Sequence, residues 1–209
     1  MYLHVTPTIA IEASGPSQSV LGLCDGLVQI GSDVALYCLD WAPLNNPPSF
    51  YSAFTLAPRL PRRFGFSADM RDNLMKACAS GRVSLVHSHG AWMMPSVYAT
   101  AAARRGRIPL VVSPRGTLAP WALAQGTRFK PLIWTILQKR ALLAAQCIHV
   151  TSEQEYLDVR ELGFTQPIAI IPNSVRASSK QFPAITDSRT LLFLGRIAEG
   201  KGVDMLIEA

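Results

Sequence analysis

The stretch LLFLGRIAEGKGVD, Leu191–Asp204, joins a short apolar run to a glycine-bearing loop and to the start of a helical pattern. An apolar run of this length that ends at glycine is typical of a buried strand, and the following segment is typical of a helix. The stretch therefore predicts one βα unit, and the rest of the chain repeats the pattern.

Six further apolar runs upstream predict short strands. Helical patterns separate several of them, with Ser67 and Ser152 placed as N-caps and Gly31 and Gly163 placed to end helices. Strands that alternate with helices indicate βαβ units, which form a parallel sheet covered on both faces. The predicted fold class is α/β, a doubly wound parallel sheet. The upstream strands are Tyr2–Val5, Val34–Cys38, Leu85–His87, Leu110–Ser113, Ile148–Thr151 and Ile168–Ile171.

The longest helical pattern, Phe129–Ala145, is apolar nearly all round. A pattern of this kind is more often a helix buried between layers than a membrane anchor. We therefore predict that this helix is buried.

The composition indicates a globular protein, and its positive charge favours contact with anions. Of 209 residues, 49% are hydrophobic and 16% charged, and the net charge is +6. Nucleic-acid binding is not predicted, because the sequence carries no signature of a nucleic-acid-binding module. Four widely spaced cysteines, no signal-peptide pattern and no apolar run of about 20 residues predict a cytoplasmic protein. Any membrane contact would then be peripheral, at the inner face of the plasma membrane.

We expect two domains. Residues 1–173 form the first, and residues 174–188, rich in Ser, Pro, Lys and Ala, form a linker. Residues 189–209 supply one βα unit, too little to bury its own apolar face. We therefore expect them to be the truncated start of a second domain, with apolar positions that favour self-association.

The loop in Leu191–Asp204 has the chemistry of a phosphate site. Gly195 and Lys201 fit the P-loop spacing, but Gly202 stands where a P-loop needs a Ser or Thr hydroxyl for Mg²⁺. Arg196 and Lys201, together with amides at a helix N-terminus, can hold and neutralise a diphosphate without magnesium. A capped turn with exposed basic residues is the alternative.

Three strand-end loops in the first domain also carry candidate residues. Ser14 and Gly15 lie in a small-residue loop before the first helix, where backbone can approach an anion; an ordinary Gly-Pro turn is the alternative. His89 lies in the segment His87-Ser88-His89-Gly90, which ends a predicted strand, and Arg115 is held between proline and glycine. A solvated surface arginine is the alternative for Arg115. His-x-His suggests a metal, but no third ligand lies at a suitable spacing, so no metal site is predicted.

The segment Phe193–Ala209 resembles the start of the nucleotide-sugar domain in glycosyltransferase family 4, the retaining group with the GT-B fold. The family pattern is met at Gly195, Arg196, Lys201, Gly202, Leu206, Ile207 and Ala209. Upstream, Val86–Gly90 looks like the family's His-x-His-Gly strand end, and Ser113–Gly116 is similar to the S-P-R-G of a bacterial polysaccharide subgroup. Ile170–Val175 resembles its I-P-N-G-V segment, with Ser174 in place of glycine.

The resemblance implies a mechanism and a set of partners. A nucleotide-sugar binds mainly to the second domain, Gly195, Arg196, Lys201 and Gly202 hold its diphosphate, and an acceptor hydroxyl attacks with retention of configuration. His89 would orient or polarise a reacting hydroxyl, and Arg115 would contact donor phosphate or an anionic acceptor. The acceptor would be a saccharide or a lipid-linked saccharide of cell-surface polysaccharide synthesis. No metal or other cofactor would be required.

Two alternatives remain open at this point. One is a P-loop-like nucleotide-binding protein, which would need magnesium. The other is a non-catalytic fragment that binds a glycan or a protein partner, because the E-x₇-E motif of the donor domain would follow Ala209.

Overall fold

The structure is a computed structural model, and it describes residues 1–9, 15–42, 44, 46–125, 130–174, 192–193, 195 and 202–208. The chain divides into two compact units, Met1–Val175 and Arg176–Ala209.

The first unit is built on a seven-stranded sheet in which every strand pairs in parallel with its neighbours. The strand order is β3-β2-β1-β4-β5-β6-β7, which confirms the predicted doubly wound α/β sheet. β3 is an addition to the predicted strands; it is a short edge strand that pairs only with β2 and whose flanks resemble a loop. The strands are β1 Tyr2–Val5, β2 Val34–Leu39, β3 Tyr51–Phe54, β4 Leu85–His89, β5 Leu110–Ser113, β6 Cys147–Val150 and β7 Ile168–Ile170.

Helices cover the two faces of this sheet, and the predicted caps are present. The Ser67 hydroxyl accepts a hydrogen bond from the Met70 amide, and the Ser152 hydroxyl accepts one from the Glu155 amide. Gly31 and Gly163 follow helix ends with positive φ angles of 82°, a conformation that glycine adopts without strain. The helices are α1 Gly15–Gln29, α2 Ala68–Ala79, α3 Met94–Gly106, α4 Pro120–Ala124, α5 Lys130–Ile133, α6 Lys139–Leu143 and α7 Glu153–Glu161.

The prediction of one buried helix over Phe129–Ala145 is wrong in two respects. Its described part is interrupted, because a π-helical turn, Trp134–Gln138, separates α5 from α6. It is also buried on one face only: Leu132 and Leu143 remain more than half exposed. The prediction rested on apolar residues on all faces of the helix, but in the structure only one neighbouring layer covers it. A π-helical turn of this kind is often found next to a functional site.

The core lies on both sides of the sheet. A large cluster includes Leu3, Val86 and Ile148, and a smaller one beneath α1 includes Val20 and Leu36. All four cysteines are free, and three of them are buried. Burial, together with the nearby Asp25, raises the pKa of the Cys24 thiol to about 12. The buried cysteines therefore act as small apolar residues.

In the second unit the described residues include one helix, α8 Val203–Glu208. Leu192 and Phe193, the described part of the predicted strand Leu191–Leu194, are not in a strand. A strand needs a neighbour to pair with, and none is present among the described residues of this unit. Leu192 and Ile207 are each 80% exposed. Within the described part of the chain, no helix has both the length and the apolar character to cross a bilayer.

Candidate functional site

The strand order marks a candidate ligand-binding position between β1 and β4. The chain moves outward from β1 to β3, returns to β4 on the other side of β1, and then continues outward to β7. In open parallel sheets of this kind, ligands bind at the carboxyl ends of the strands where the order reverses. Candidate residues at the ends of β1 and β4, and after the neighbouring strands, therefore meet at one edge of the sheet.

All four histidines of the chain lie at this edge: His4 on β1, His87 and His89 on β4, and His149 on β6. His4 pairs in register with His87, and His89 is two residues further along the same strand, so the three side chains share one face of the sheet. The ring centroids of His87 and His89 are 4.0 Å apart, and those of His4 and His89 are 5.3 Å apart. The histidines form a buried layer of imidazoles.

His4 and His149 are not among the site residues predicted from the sequence. Each lies inside an apolar strand, and only strand register brings it beside the His-x-His segment. The sequence offers no third ligand at a suitable spacing from His87 and His89, but the sheet supplies one, because ring nitrogens of His4, His87 and His89 lie within 4.8 Å of one another. Whether the site uses a metal stays a prediction, and the sequence-based prediction is that it does not.

Hydrogen bonds connect this layer to Arg115. An Arg115 Nη lies 3.3 Å from His89 Nδ1, and His89 Nε2 lies 3.0 Å from His4 Nδ1. The other Nη of Arg115 donates to Asn173 Oδ1. A guanidinium can only donate, so His89 Nδ1 is the acceptor and the His89 proton is on Nε2, where it is donated to His4.

The histidines are neutral at physiological pH. Burial, together with the nearby Arg115 guanidinium, lowers the pKa of His4 from the ordinary 6.5 to about 4. Burial and the neighbouring imidazoles hold the pKa of His87 and of His89 well below the ordinary value. A buried imidazolium would lose its hydration and would face both other rings and a guanidinium. Neutral rings can instead accept hydrogen bonds, as the Arg115 contact requires.

The Arg115 loop has an uncommon backbone conformation that is held by named contacts. Arg115 and Gly116 have φ angles of 58° and 73°, and the left-handed region is unfavourable for a non-glycine residue. The buried Glu155 carboxylate accepts from the Gly116 amide at 2.6 Å and from the Thr151 amide at 2.7 Å. A strained residue held in place in this way is frequent at functional sites.

A second strained loop lies beside the first. Trp92, three residues after His89, has a φ of 71°, and its indole Nε1 donates to the Thr117 carbonyl at 3.0 Å. This bond joins the loop after β4 to the loop after β5. Both loops that carry the predicted residues His89 and Arg115 are thus fixed to each other.

His149 connects the layer of imidazoles to the segment that follows β7. Its Nε2 donates to the Ile171 carbonyl at 3.0 Å, which leaves Nδ1 to accept from the Ser113 hydroxyl at 3.3 Å. Burial lowers the pKa of His149, against an opposing effect of the Ile171 hydrogen bond. His149 therefore fixes the segment that leads to Asn173, the second partner of Arg115.

Arg115 opens onto a cleft of about 370 Å³ at the carboxyl edge of the sheet. Burial lowers the pKa of its guanidinium, with an opposing effect of Glu155. A cation that is incompletely solvated gains from an anion in the cleft. Arg115 is the one charged residue among those that line the cleft in the described part of the chain. The cleft is lined by Gly15, Gln18, Ser19, Arg115, Gly116, Thr151, Asn173 and Ser174.

The structure brings together only some of the predicted site residues. His89 and Arg115 are in contact, and Gly15 lines the same cleft as Arg115. Ser14, Arg196 and Lys201 lie outside the described residues. Gly195 and Gly202 are described and belong to the second unit. His89 is only 1% exposed, so its predicted contact with a reacting hydroxyl stays a prediction, whereas its contact with Arg115 is direct.

A family model for the glycosyl transferase 4-like domain matches residues 14–174, which is 161 of the 209 residues. The chain belongs to this family. The match covers the strand-end loops of His89 and Arg115 and ends just after Asn173. It confirms the family resemblance inferred from the sequence. No curated protein shows significant sequence similarity to the chain.

Solved structures share the fold of this glycosyl transferase 4-like chain. The UDP-GlcNAc 2-epimerase from Methanocaldococcus jannaschii has a TM-score of 0.55 at 11% identity, over 83% of this chain and 46% of its own. The sucrose-phosphate synthase from Thermosynechococcus elongatus has 0.53 at 14% identity, over 82% and 48%. Anabaena HepE, solved with UDP and glucose, has 0.52 at 14% identity, over 83% and 44%.

These similarities show a shared fold, and the chain spans less than half the length of each of the three proteins. They support the assignment of the first unit to the N-terminal domain of a GT-B type protein. The family match favours a glycosyltransferase over the P-loop alternative.

Proposed function

We propose that the chain is the acceptor-side part of a retaining glycosyltransferase that transfers a sugar from a nucleotide-sugar to a saccharide or a lipid-linked saccharide. The contact of Arg115 with His89 and Asn173, at the reversal of strand order in a glycosyl transferase 4-like domain, carries this proposal. Two solved proteins of the same fold were crystallised with UDP, which supports a nucleotide-sugar as the donor.

In this proposal Arg115 binds an anionic oxygen, either of the donor diphosphate or of an anionic acceptor. Its guanidinium is already oriented by His89 and Asn173, so little rearrangement is needed when the anion arrives. A preorganised cation stabilises charge that grows on a leaving diphosphate without any proton transfer. The role assigned to Arg196 and Lys201 in the second unit is the same, and no metal is required.

We further propose that the acceptor belongs to cell-surface polysaccharide synthesis and that the enzyme acts at the cytoplasmic face of the plasma membrane. The surface of α5 and α6 supports a peripheral contact. Leu132, Ile136 and Leu143 are exposed beside Lys139 and Arg140. Exposed apolar side chains flanked by basic ones are suited to an anionic lipid surface.

The experiment is a transfer assay on the full-length protein that contains this chain, with a panel of nucleotide-sugars as donors. Replacing Arg115 with Ala removes a charge-assisted hydrogen bond to the anion. We expect kcat/KM to fall by about tenfold to a hundredfold, the scale for one such contact. Arg115→Lys keeps the charge but cannot hold both His89 and Asn173, so only part of the activity should return.

Arg71→Ala is the matched control, because Arg71 is an exposed arginine on α2 whose side chain pairs with Asp72. Its activity should equal that of the wild type. An Arg115→Ala enzyme with wild-type kcat/KM would contradict the proposal. Binding of nucleotide-sugar without any transfer would favour the non-catalytic alternative.

A further inference from the structure

His4 is connected to Arg115 through His89, which contacts both residues. It is 1% exposed and comes from β1, the first strand of the chain. The one side-chain hydrogen bond of His4 among the described residues joins its Nδ1 to His89 Nε2 at 3.0 Å. The planes of the two rings are only 8° apart, as a hydrogen bond to the in-plane Nδ1 lone pair requires.

The order of donors and acceptors from Arg115 to His4 is fixed by elementary chemistry. Arg115 must donate to His89 Nδ1, so the single proton of the neutral His89 ring is on Nε2. That proton points at His4 Nδ1, which must be an unprotonated acceptor. The proton of His4 is therefore on its Nε2. In the row Arg115–His89–His4, each group therefore fixes the protonation of the next.

A reversed His89 tautomer would disrupt the Arg115 site. With the proton on Nδ1, His89 would present an N–H to the guanidinium N–H, so two donors would face each other. The His89 Nε2 lone pair would then need a donor from His4. Arg115 would keep Asn173 alone as a side-chain partner among the described residues, and one contact does not fix the plane of a guanidinium.

We propose that His4 is a positioning residue for Arg115: by accepting the Nε2 proton of His89, it keeps the Nδ1 lone pair of His89 directed at the guanidinium. The anion-binding role of Arg115 rests on the proposed function, but the tautomer assignment does not. His4 touches neither the cleft nor a reacting atom, and it acts through His89.

The hydrogen bond can be measured in the wild-type protein. The chain has only four histidines, so ¹⁵N labelling of histidine gives a spectrum that single variants can assign. We expect a protonated Nε2 and an unprotonated Nδ1 on His89, and a coupling across the hydrogen bond between His89 Nε2 and His4 Nδ1. A protonated Nδ1 on His89 would overturn the proposal.

Two substitutions at His4 separate positioning from packing. In His4→Asn the amide oxygen lies near the position of Nδ1 and can still accept from His89, whereas His4→Leu fills the space without an acceptor. His87→Leu is the matched control, because His87 is a buried imidazole paired with His4 in register but is not in the row from Arg115. The three variants remove imidazoles from the same layer.

The readout is the affinity of the chain for inorganic pyrophosphate, a probe of the Arg115 anion site. We expect His4→Leu to weaken binding by about tenfold, the effect of losing one oriented contact. His4→Asn should stay within about threefold of the wild type, and His87→Leu should bind as the wild type does. Equal weakening by His4→Leu and His87→Leu would indicate packing alone and would overturn the proposal.

Two further outcomes are distinguishable. If Arg115→Ala leaves pyrophosphate binding unchanged while the His89–His4 coupling is present, the proposed anion site fails but the tautomer assignment stands. If the purified protein carries stoichiometric metal at these histidines, the positioning role is overturned, because a metal ion would replace the shared proton.

Discussion

The buried histidines should make the protein less stable in mild acid. The size of this loss can be worked out for His4. Its pKa is about 4 in the folded chain, against 6.5 ordinarily. The His4 ring binds a proton more weakly in the folded chain than in the unfolded chain. Stability therefore falls as the pH drops below about 6.5, and the loss is complete below about 4. At about 1.4 kcal/mol per pKa unit, the shift of His4 alone lowers the free energy of unfolding by about 3 kcal/mol once the pH has fallen below both pKa values.

Between pH 7.5 and pH 5, the same linkage predicts that His4 lowers the free energy of unfolding by about 2 kcal/mol. His87 and His89 act in the same direction, since burial also holds their pKa values well below the ordinary one. The assay is urea unfolding of the chain at the two pH values, followed by circular dichroism. We expect the free energy of unfolding to be lower at pH 5 by at least the His4 contribution.

The His4→Asn variant isolates that contribution, because asparagine does not titrate. Its own stability at pH 7.5 can differ from that of the wild type, and the quantity compared is the change between the two pH values. That change should be smaller than in the wild type by about 2 kcal/mol. A variant with the wild-type change would refute the argument that His4 is held neutral by burial.

Two other predictions concern activity and membrane contact. In the full-length protein, Arg196→Ala and Lys201→Ala should each lower kcat/KM by on the order of a hundredfold without magnesium dependence, because they stabilise the leaving diphosphate; a double variant with near-normal transfer rates would rule this role out. Replacing Leu132 and Ile136 with Ser should reduce binding to vesicles that contain anionic lipid, measured by flotation, and unchanged binding would place the contact elsewhere.

Much of the first unit could be predicted from local sequence. Strands such as Tyr2–Val5 and Leu110–Ser113 have the predicted bounds, and α2 begins after its predicted cap, Ser67. Local signals were sufficient there because capping and apolar runs depend on residues close together in the chain. They failed for α5 and α6, since the number of layers that cover a helix is not a local property.

The sequence by itself indicated two candidate site residues at strand ends, His89 and Arg115. His89 is the last residue of β4 and Arg115 follows β5, in motifs that the family match covers. Only the tertiary structure decided that His4 and His149 join them, that Arg115 donates to His89 and Asn173, and that the rings are neutral. The physical reason is that parallel pairing brings together residues from strands that are far apart in the chain. Burial of that layer then sets the protonation state of each imidazole.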